Sequence, residues 1–187
     1  MQALTSAFNF IGNKDLLEHS SVYILASQFY TDYTRDVLST FIPYFCATKV
    51  TLVLRYSDRL TSIVLELLSE LQGSCIIVCD SFADLSSQRV IARLLELKLC
   101  CLVIPKNIRN ITANNTIEFL ATLYSCMLVT ESISVIEFSY SITCTLDLNK
   151  SVYVIPGSIY AKASQGSNYL IRNGAILVTA PSDVNFD

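Results

Sequence analysis

The chain has 187 residues, a length for one domain with a sizeable core, and the whole of 1–187 reads as that one domain. It is 52% hydrophobic and 16% charged, with mean hydropathy +0.47, net charge −3 and pI about 5.1. The acidic balance excludes a broadly basic nucleic-acid binder, and the apolar excess predicts a further buried surface, a homodimer face.

The rhythm along the chain is strand, helix, strand, helix. Residues 22–26 form a short apolar strand. Thr31 or Asp32 then caps a helix whose apolar positions Val37, Leu38, Phe41, Ile42 and Phe45 recur at i, i+3/i+4. Pro43 is expected to kink or end that helix early. A second strand covers 50–54, and Asp58 opens a helix carrying Ile63, Leu65, Leu67, Leu68 and Leu71. Strand 75–79 is followed by a helix over 86–97 with Val90, Ile91, Leu94 and Leu95 on one side. Strand 100–104 ends at Pro105, and a helix over 116–124 leads into strand 126–130. A helix over 132–146, a strand over 152–155, a short helix and a last strand over 175–178 complete the chain. The strands are continuously apolar, not alternating. That means burial on both faces, hence a mostly parallel, doubly wound α/β sheet with ligands at the carboxyl ends of its strands.

Three of the five glycines, Gly157, Gly166 and Gly174, fall near the C-terminus. Glycine serves where the backbone needs positive φ or approaches another group closely, so special backbone geometry gathers at one edge. Ser158, Ser164, Ser167 and Asn168 lie among these glycines and fit two roles. They can donate hydrogen bonds to phosphates, or close the loop and cap the helix after it. Lys162 and Arg172 flank the same edge, and Arg35 and Arg55 sit at strand or helix ends on the ligand side. Arg89, Arg93 and Lys98 read as a solvated face. Phe29, Tyr30, Tyr33 and Tyr160 can stack bases, whereas Tyr23 and Phe82 read as core or dimer contacts. Glu131 and Glu137 look like acidic residues following a late strand, with no partner base or metal cluster to make them catalytic.

The seven cysteines do not form a site. Cys75 and Cys79 share one face of a strand, Cys100 and Cys101 point to opposite faces, and Cys46, Cys126 and Cys144 stand apart. No C-x-x-C occurs, and His19 is the only histidine. We expect free thiols in a reducing cytosol, no metal, no cofactor and no Ser-His-Asp triad. The apolar stretch from Phe119 to Thr130 is bounded by Glu118 and Glu131 and is too short to span a bilayer. The N-terminus lacks a basic segment and a small-residue cleavage site, so the expected location is the cytoplasm.

Several segments resemble one family. Phe10-Ile11-Gly12-Asn13-Lys14-Asp15-Leu16-Leu17, followed by Ser21-Val22-Tyr23-Ile24-Leu25-Ala26-Ser27-Gln28, is similar to the start of the Rossmann domain of the DNA-processing protein DprA (Smf). There the family shows K-G-N-x-x-L-L and S-V-A-I-V-G-S-R. Thr31-Asp32-Tyr33-Thr34-Arg35 partly matches T-x-Y-G-R. Residues 152–175 match V-F-A-V-P-G-S, S-x-G-x-N-x-L-I and G-A. The resemblance runs from about residue 8 to 182 and leaves out the family's small flanking domains. It implies a Rossmann-like fold, no enzymatic step, binding of single-stranded DNA in DNA uptake, and transfer of that DNA to the recombinase RecA. It also implies a homodimer formed near the last strands, with Ile155, Tyr160, Tyr169, Leu170 and Leu177 as candidates.

The departures from the family shape the functional expectation. Gln28 stands where the family has an arginine near a DNA phosphate. The glycine-rich loops after the second and third strands become Arg55-Tyr56-Ser57-Asp58 and Asp80-Ser81-Phe82-Ala83-Asp84. R-N-R-I-I-A-G is represented by Asn114-Asn115-Thr116-Ile117, and Tyr140 replaces a glycine in S-G-S-L-I-T. Glycine loops let backbone N–H groups surround a phosphate, so the expected anion site is eroded and DNA binding weak. The candidate phosphate-binding residues are Ser27, Gln28, Arg35, Arg55, Asn115, Gly157, Ser158, Lys162, Ser164, Gly166 and Asn168. A ligand-silent interaction protein with the same fold and a nucleotide-binding sensor are the alternative readings.

Overall fold

The computed structural model describes residues 6–56, 59–79, 89–106 and 112–186. The expectations for Asp58, for 80–84 including Phe82, and for the start of the 86–97 helix fall outside these residues. Eight strands form one sheet: β1 (Phe8–Gly12), β2 (Ser21–Leu25), β3 (Thr51–Arg55), β4 (Cys75–Val78), β5 (Cys100–Pro105), β6 (Cys126–Val129), β7 (Val152–Val154) and β8 (Ile176–Leu177). Their order is β1-β5-β4-β3-β2-β6-β7-β8. All neighbours are parallel except β1, which runs antiparallel to β5. Helices α1 (Asp32–Ala47), α2 (Arg59–Leu71), α3 (Arg89–Glu96), α4 (Ala113–Thr122), α5 (Ser139–Asp147) and α6 (Gln165–Arg172) follow β2 to β7 in turn. This is the doubly wound, mostly parallel sheet that the apolar strand runs predict.

Burial on both faces explains why these strands read as unbroken apolar runs. Every residue of β2, β4 and β5 is buried. On one face Ile24, Leu52 and Ile77 pack against Leu38, Phe41, Ile42 and Phe45 of α1 and Leu65 and Leu68 of α2. On the other, Tyr23, Val53, Met127 and Val154 meet Phe119 and Leu120 of α4 and Leu170 of α6. Each such Leu, Ile or Phe contributes about 1.5–3 kcal/mol by leaving water. Tyr23 is buried and stacks on Tyr124 at 5.2 Å. The Tyr124 hydroxyl shares a 2.7 Å hydrogen bond with Thr145.

Several local expectations are corrected. Pro43 does not end its helix, since α1 continues to Ala47. The missing N–H costs about 3 kcal/mol, but Phe41, Ile42 and Phe45 are buried on either side and hold the last turn in place. β1 is an additional strand ahead of the apolar run at 22–26, paired antiparallel with β5. The helix expected over 132–146 is instead a short 3-10 turn, Val135–Glu137, followed by α5. The Ser134 hydroxyl accepts from Ile136 N at 3.3 Å, and such a side-chain bond to the local backbone starts a new turn here. Helix α4 starts earlier than its apolar pattern suggests, because Thr112 and Asn115 form a capping box.

The proposed dimer residues separate. Ile155 and Leu170 are buried, whereas Tyr160, Tyr169 and Leu177 are 92%, 53% and 48% exposed. Leu177 is thus not a core residue, because β8 is a two-residue edge strand whose side chains stay about half exposed. All seven cysteines are free thiols. Burial pushes the Cys101 thiol up to about 11 and Cys126 to about 12, which keeps both protonated and unreactive at neutral pH. Among the described residues no helix is long and apolar enough to cross a membrane.

Candidate functional site

Parallel strands bring their carboxyl ends to one edge, and ligands of such sheets sit where the strand order reverses. Here the order reverses between β2 and β6. Strand β2 delivers Ser27 and Gln28 to that edge, and α1 begins with Thr31 as its N-cap. Strand β6 delivers Thr130, Glu131 and Ser132. Strand β7 delivers Pro156, Gly157 and Ser158, and α6 opens with Gln165 and Gly166. Between them lies a cleft of about 530 Å³ lined by Thr31, Tyr33, Glu131, Pro156, Gly157, Ser158, Ala161, Ala163 and Ser164.

Glu131 forms the floor and is only 2% exposed. Its Oε2 accepts from Thr31 N and from Thr34 Oγ1, each at 2.8 Å, and its Oε1 from Thr31 Oγ1 at 2.9 Å. The carboxylate sits at the N-terminus of α1, where orphan N–H groups and the helix dipole favour negative charge. Its backbone oxygen accepts from Ser27 N at 2.8 Å and so ties β2 to β6. Glu137 reaches the same turn from the other side: its Oε1 accepts from Ser27 Oγ and from Gln28 N, both at 3.2 Å. The Tyr33 hydroxyl closes one wall by donating to Pro156 O at 2.7 Å. Burial, and then the charge of Glu131, raise the pKa of that phenol.

The opposite wall is held by reciprocal bonds. Asn168 Nδ2 donates to Gly157 O at 3.0 Å, while Gly157 N donates to Asn168 Oδ1 at 3.1 Å. Gly166 N donates to Ser132 O at 2.7 Å, and Ser132 N donates to Ser167 Oγ at 2.9 Å. Ser164 and Ser167 are buried. Ser27, Gln28, Gly157, Ser158, Ser164, Gly166 and Asn168 therefore converge on one edge. The amide of Asn168 and the hydroxyl of Ser167 close the loop there.

The remaining candidates lie further out. Arg35 is exposed on α1, with Nε 3.8 Å from the Asp32 carboxylate. Lys162 is exposed between the cleft-lining Ala161 and Ala163. Arg55 ends β3, one strand further along the sheet from β2, and its carbonyl accepts from Thr61 Oγ1 at 2.7 Å. The side-chain oxygen of Asn115 accepts from Thr112 N and Oγ1 at 3.1 and 2.8 Å, which commits it to the helix cap. Glu131 and Glu137, given no role by the sequence, are the side-chain acceptors that hold the turn between β2 and α1. An acidic residue directly after the apolar run of β6 was the one available signal.

The family described as DNA recombination-mediator protein A matches residues 108–186. No curated protein matches the chain. Two solved structures are similar to it. DNA processing protein A from Streptococcus pneumoniae superimposes with a TM-score of 0.76 at 19% identity, covering 96% of this chain and 66% of that one. DNA processing protein A from Helicobacter pylori, whose structure concerns a unique single-stranded DNA binding mode, gives 0.75 at 14% identity, covering 94% and 83%. This chain thus spans just under two thirds of the first. At these identities the likeness is one of fold.

Proposed function

This chain carries a DprA-family Rossmann-like domain, and from that premise we propose that it is a DNA-processing recombination mediator that binds single-stranded DNA weakly. The observation that carries this reading is the family match over residues 108–186, because it contains one whole side of the cleft: Glu131, Gly157, Ser158 and Ser164. The DNA path we propose runs along the cleft mouth. Arg35 and Lys162 supply the positive charge, and exposed Phe29 and Tyr160 offer stacking faces. The protein has no chemical step of its own in this proposal, works in the cytoplasm, and passes its strand to RecA.

An oligo-dT titration by fluorescence anisotropy at several salt concentrations tests it. Two phosphate contacts give a slope of log K against log salt of about −1.4. Gln28→Arg adds one cation at the β2–α1 turn, so it should tighten binding and steepen the slope by about 0.7. Absence of binding in both proteins supports a second reading, an interaction protein that keeps the fold. The exposed Ile176 and Leu177 on the β8 edge favour that reading.

Both readings include a homodimer through the C-terminal edge, where Tyr169, Ile176 and Leu177 lie exposed. Light scattering should give twice the chain mass, and Leu177→Glu should give the monomer mass. A wild-type monomer that stays monomeric at tenfold higher concentration would remove the dimer.

A further inference from the structure

In a doubly wound sheet the first βα turn receives a ligand phosphate on its backbone N–H groups. Here that turn is residues 26–31, and every N–H from Ser27 to Thr31 already has an acceptor within the chain. Ser27 N donates to Glu131 O at 2.8 Å, Phe29 N to Ser27 Oγ at 3.4 Å and Tyr30 N to Ser27 O at 3.2 Å. The other two meet carboxylates: Thr31 N meets Glu131 at 2.8 Å and Gln28 N meets Glu137 at 3.2 Å. The two carboxylates differ in kind. Glu131 is buried and caps α1, whereas Glu137 is exposed, sits in a single 3-10 turn and takes a second donor from Ser27 Oγ.

We infer that Glu137 is a built-in occupant of the anion position. Its carboxylate holds the donors that a phosphate would use and sets the low affinity of this turn for phosphate groups. The turn has thus kept its donors, and an incoming phosphate must displace or approach a fixed negative charge to reach them. This deepens the DNA-binding reading and rests on it only for the identity of the larger ligand. A phosphate group alone is enough to test the block.

The test follows the Gln28 amide by NMR while inorganic phosphate is titrated into wild type, Glu137→Gln and Glu137→Ala. Glu137→Ala vacates the position, and its phosphate affinity should rise about tenfold, equivalent to ~1.4 kcal/mol. Glu137→Gln removes the charge but leaves an acceptor on the donors, so it should fall between the two. Equal affinity in all three proteins overturns the inference. Because Glu137 is exposed, both variants should keep the wild-type melting temperature, and Glu137→Gln decides the matter if Glu137→Ala does not fold. Oligo-dT binding in the same proteins separates this inference from the functional reading. A gain in phosphate binding with no oligo-dT binding in any of the three proteins leaves the block standing and removes the DNA reading. Oligo-dT binding in all three proteins together with equal phosphate affinity does the reverse.

Discussion

Glu131→Ala should lower the stability of the protein by about 3–5 kcal/mol, the range for breaking a buried, hydrogen-bonded charged group. The carboxylate accepts from three donor groups, Thr31 N, Thr31 Oγ1 and Thr34 Oγ1, and Thr34 is fully buried. Its loss strands the Thr34 hydroxyl, which keeps only Thr130 Oγ1 at 3.2 Å, and removes the charge that complements the α1 dipole. For a chain of this size that corresponds to a melting temperature lower by about 6–20 °C. Glu131→Gln can keep its amide oxygen on Thr31 N and Thr34 Oγ1 and turn its NH₂ toward the Thr31 hydroxyl, so it should lose less than the alanine variant. A double-mutant cycle with Thr34→Val should show a coupling of about 1 kcal/mol or more. Additive losses would mean that Glu131 acts through bulk and not through these bonds.

Gly166→Ala should cost about 2–3 kcal/mol, for a reason unrelated to charge. A Cβ at this position falls 2.7 Å from Ser132 O and 2.9 Å from Ser134 N, both backbone atoms, and 2.6 Å from Ser132 Oγ. No rotamer relieves a clash with backbone. Either α6 or the connection after β6 must move, and movement breaks the Gly166 N–Ser132 O bond. Thermal melting gives the size of the loss. NMR shifts confined to Ser132, Ser134 and Ser167 would locate it, and an unchanged melting temperature would contradict the close packing.

These two residues show what could be read from the sequence and what could not. Gly166 was legible because glycine has a local meaning: it marks close approach, and the approach is to Ser132. The strands were legible for a similar reason, since β2, β4 and β5 are buried throughout and their composition says so. Strand β1 was not legible, because its burial is mixed and its partner β5 lies far along the chain. The capping box at Thr112 was hidden because the apolar stripe of α4 begins after it. Glu137 was the least legible. Its role depends on Ser27, 110 positions away, and no periodicity or motif links the two. The family resemblance drew attention to lost glycines and a lost arginine, which are absences. The acceptors that fill the turn are visible only when its donors are counted.

The position of β2 between β3 and β6 has a kinetic consequence. Its first neighbour follows within one helix, but its second comes 104 positions later, as the bond from Ser21 N to Ser125 Oγ records. Glu131 follows Thr31 by 100 positions. At about 5–20 residues per second, a ribosome leaves β2 with an open apolar edge, and Thr31 and Thr34 without their carboxylate acceptor, for roughly 5–20 s. Closing so long a loop comes late and slowly. The cleft therefore assembles only after residues 126–164 have been made, and any assay that reads the Gln28 or Thr31 amide also reports whether the two halves of the sheet have joined.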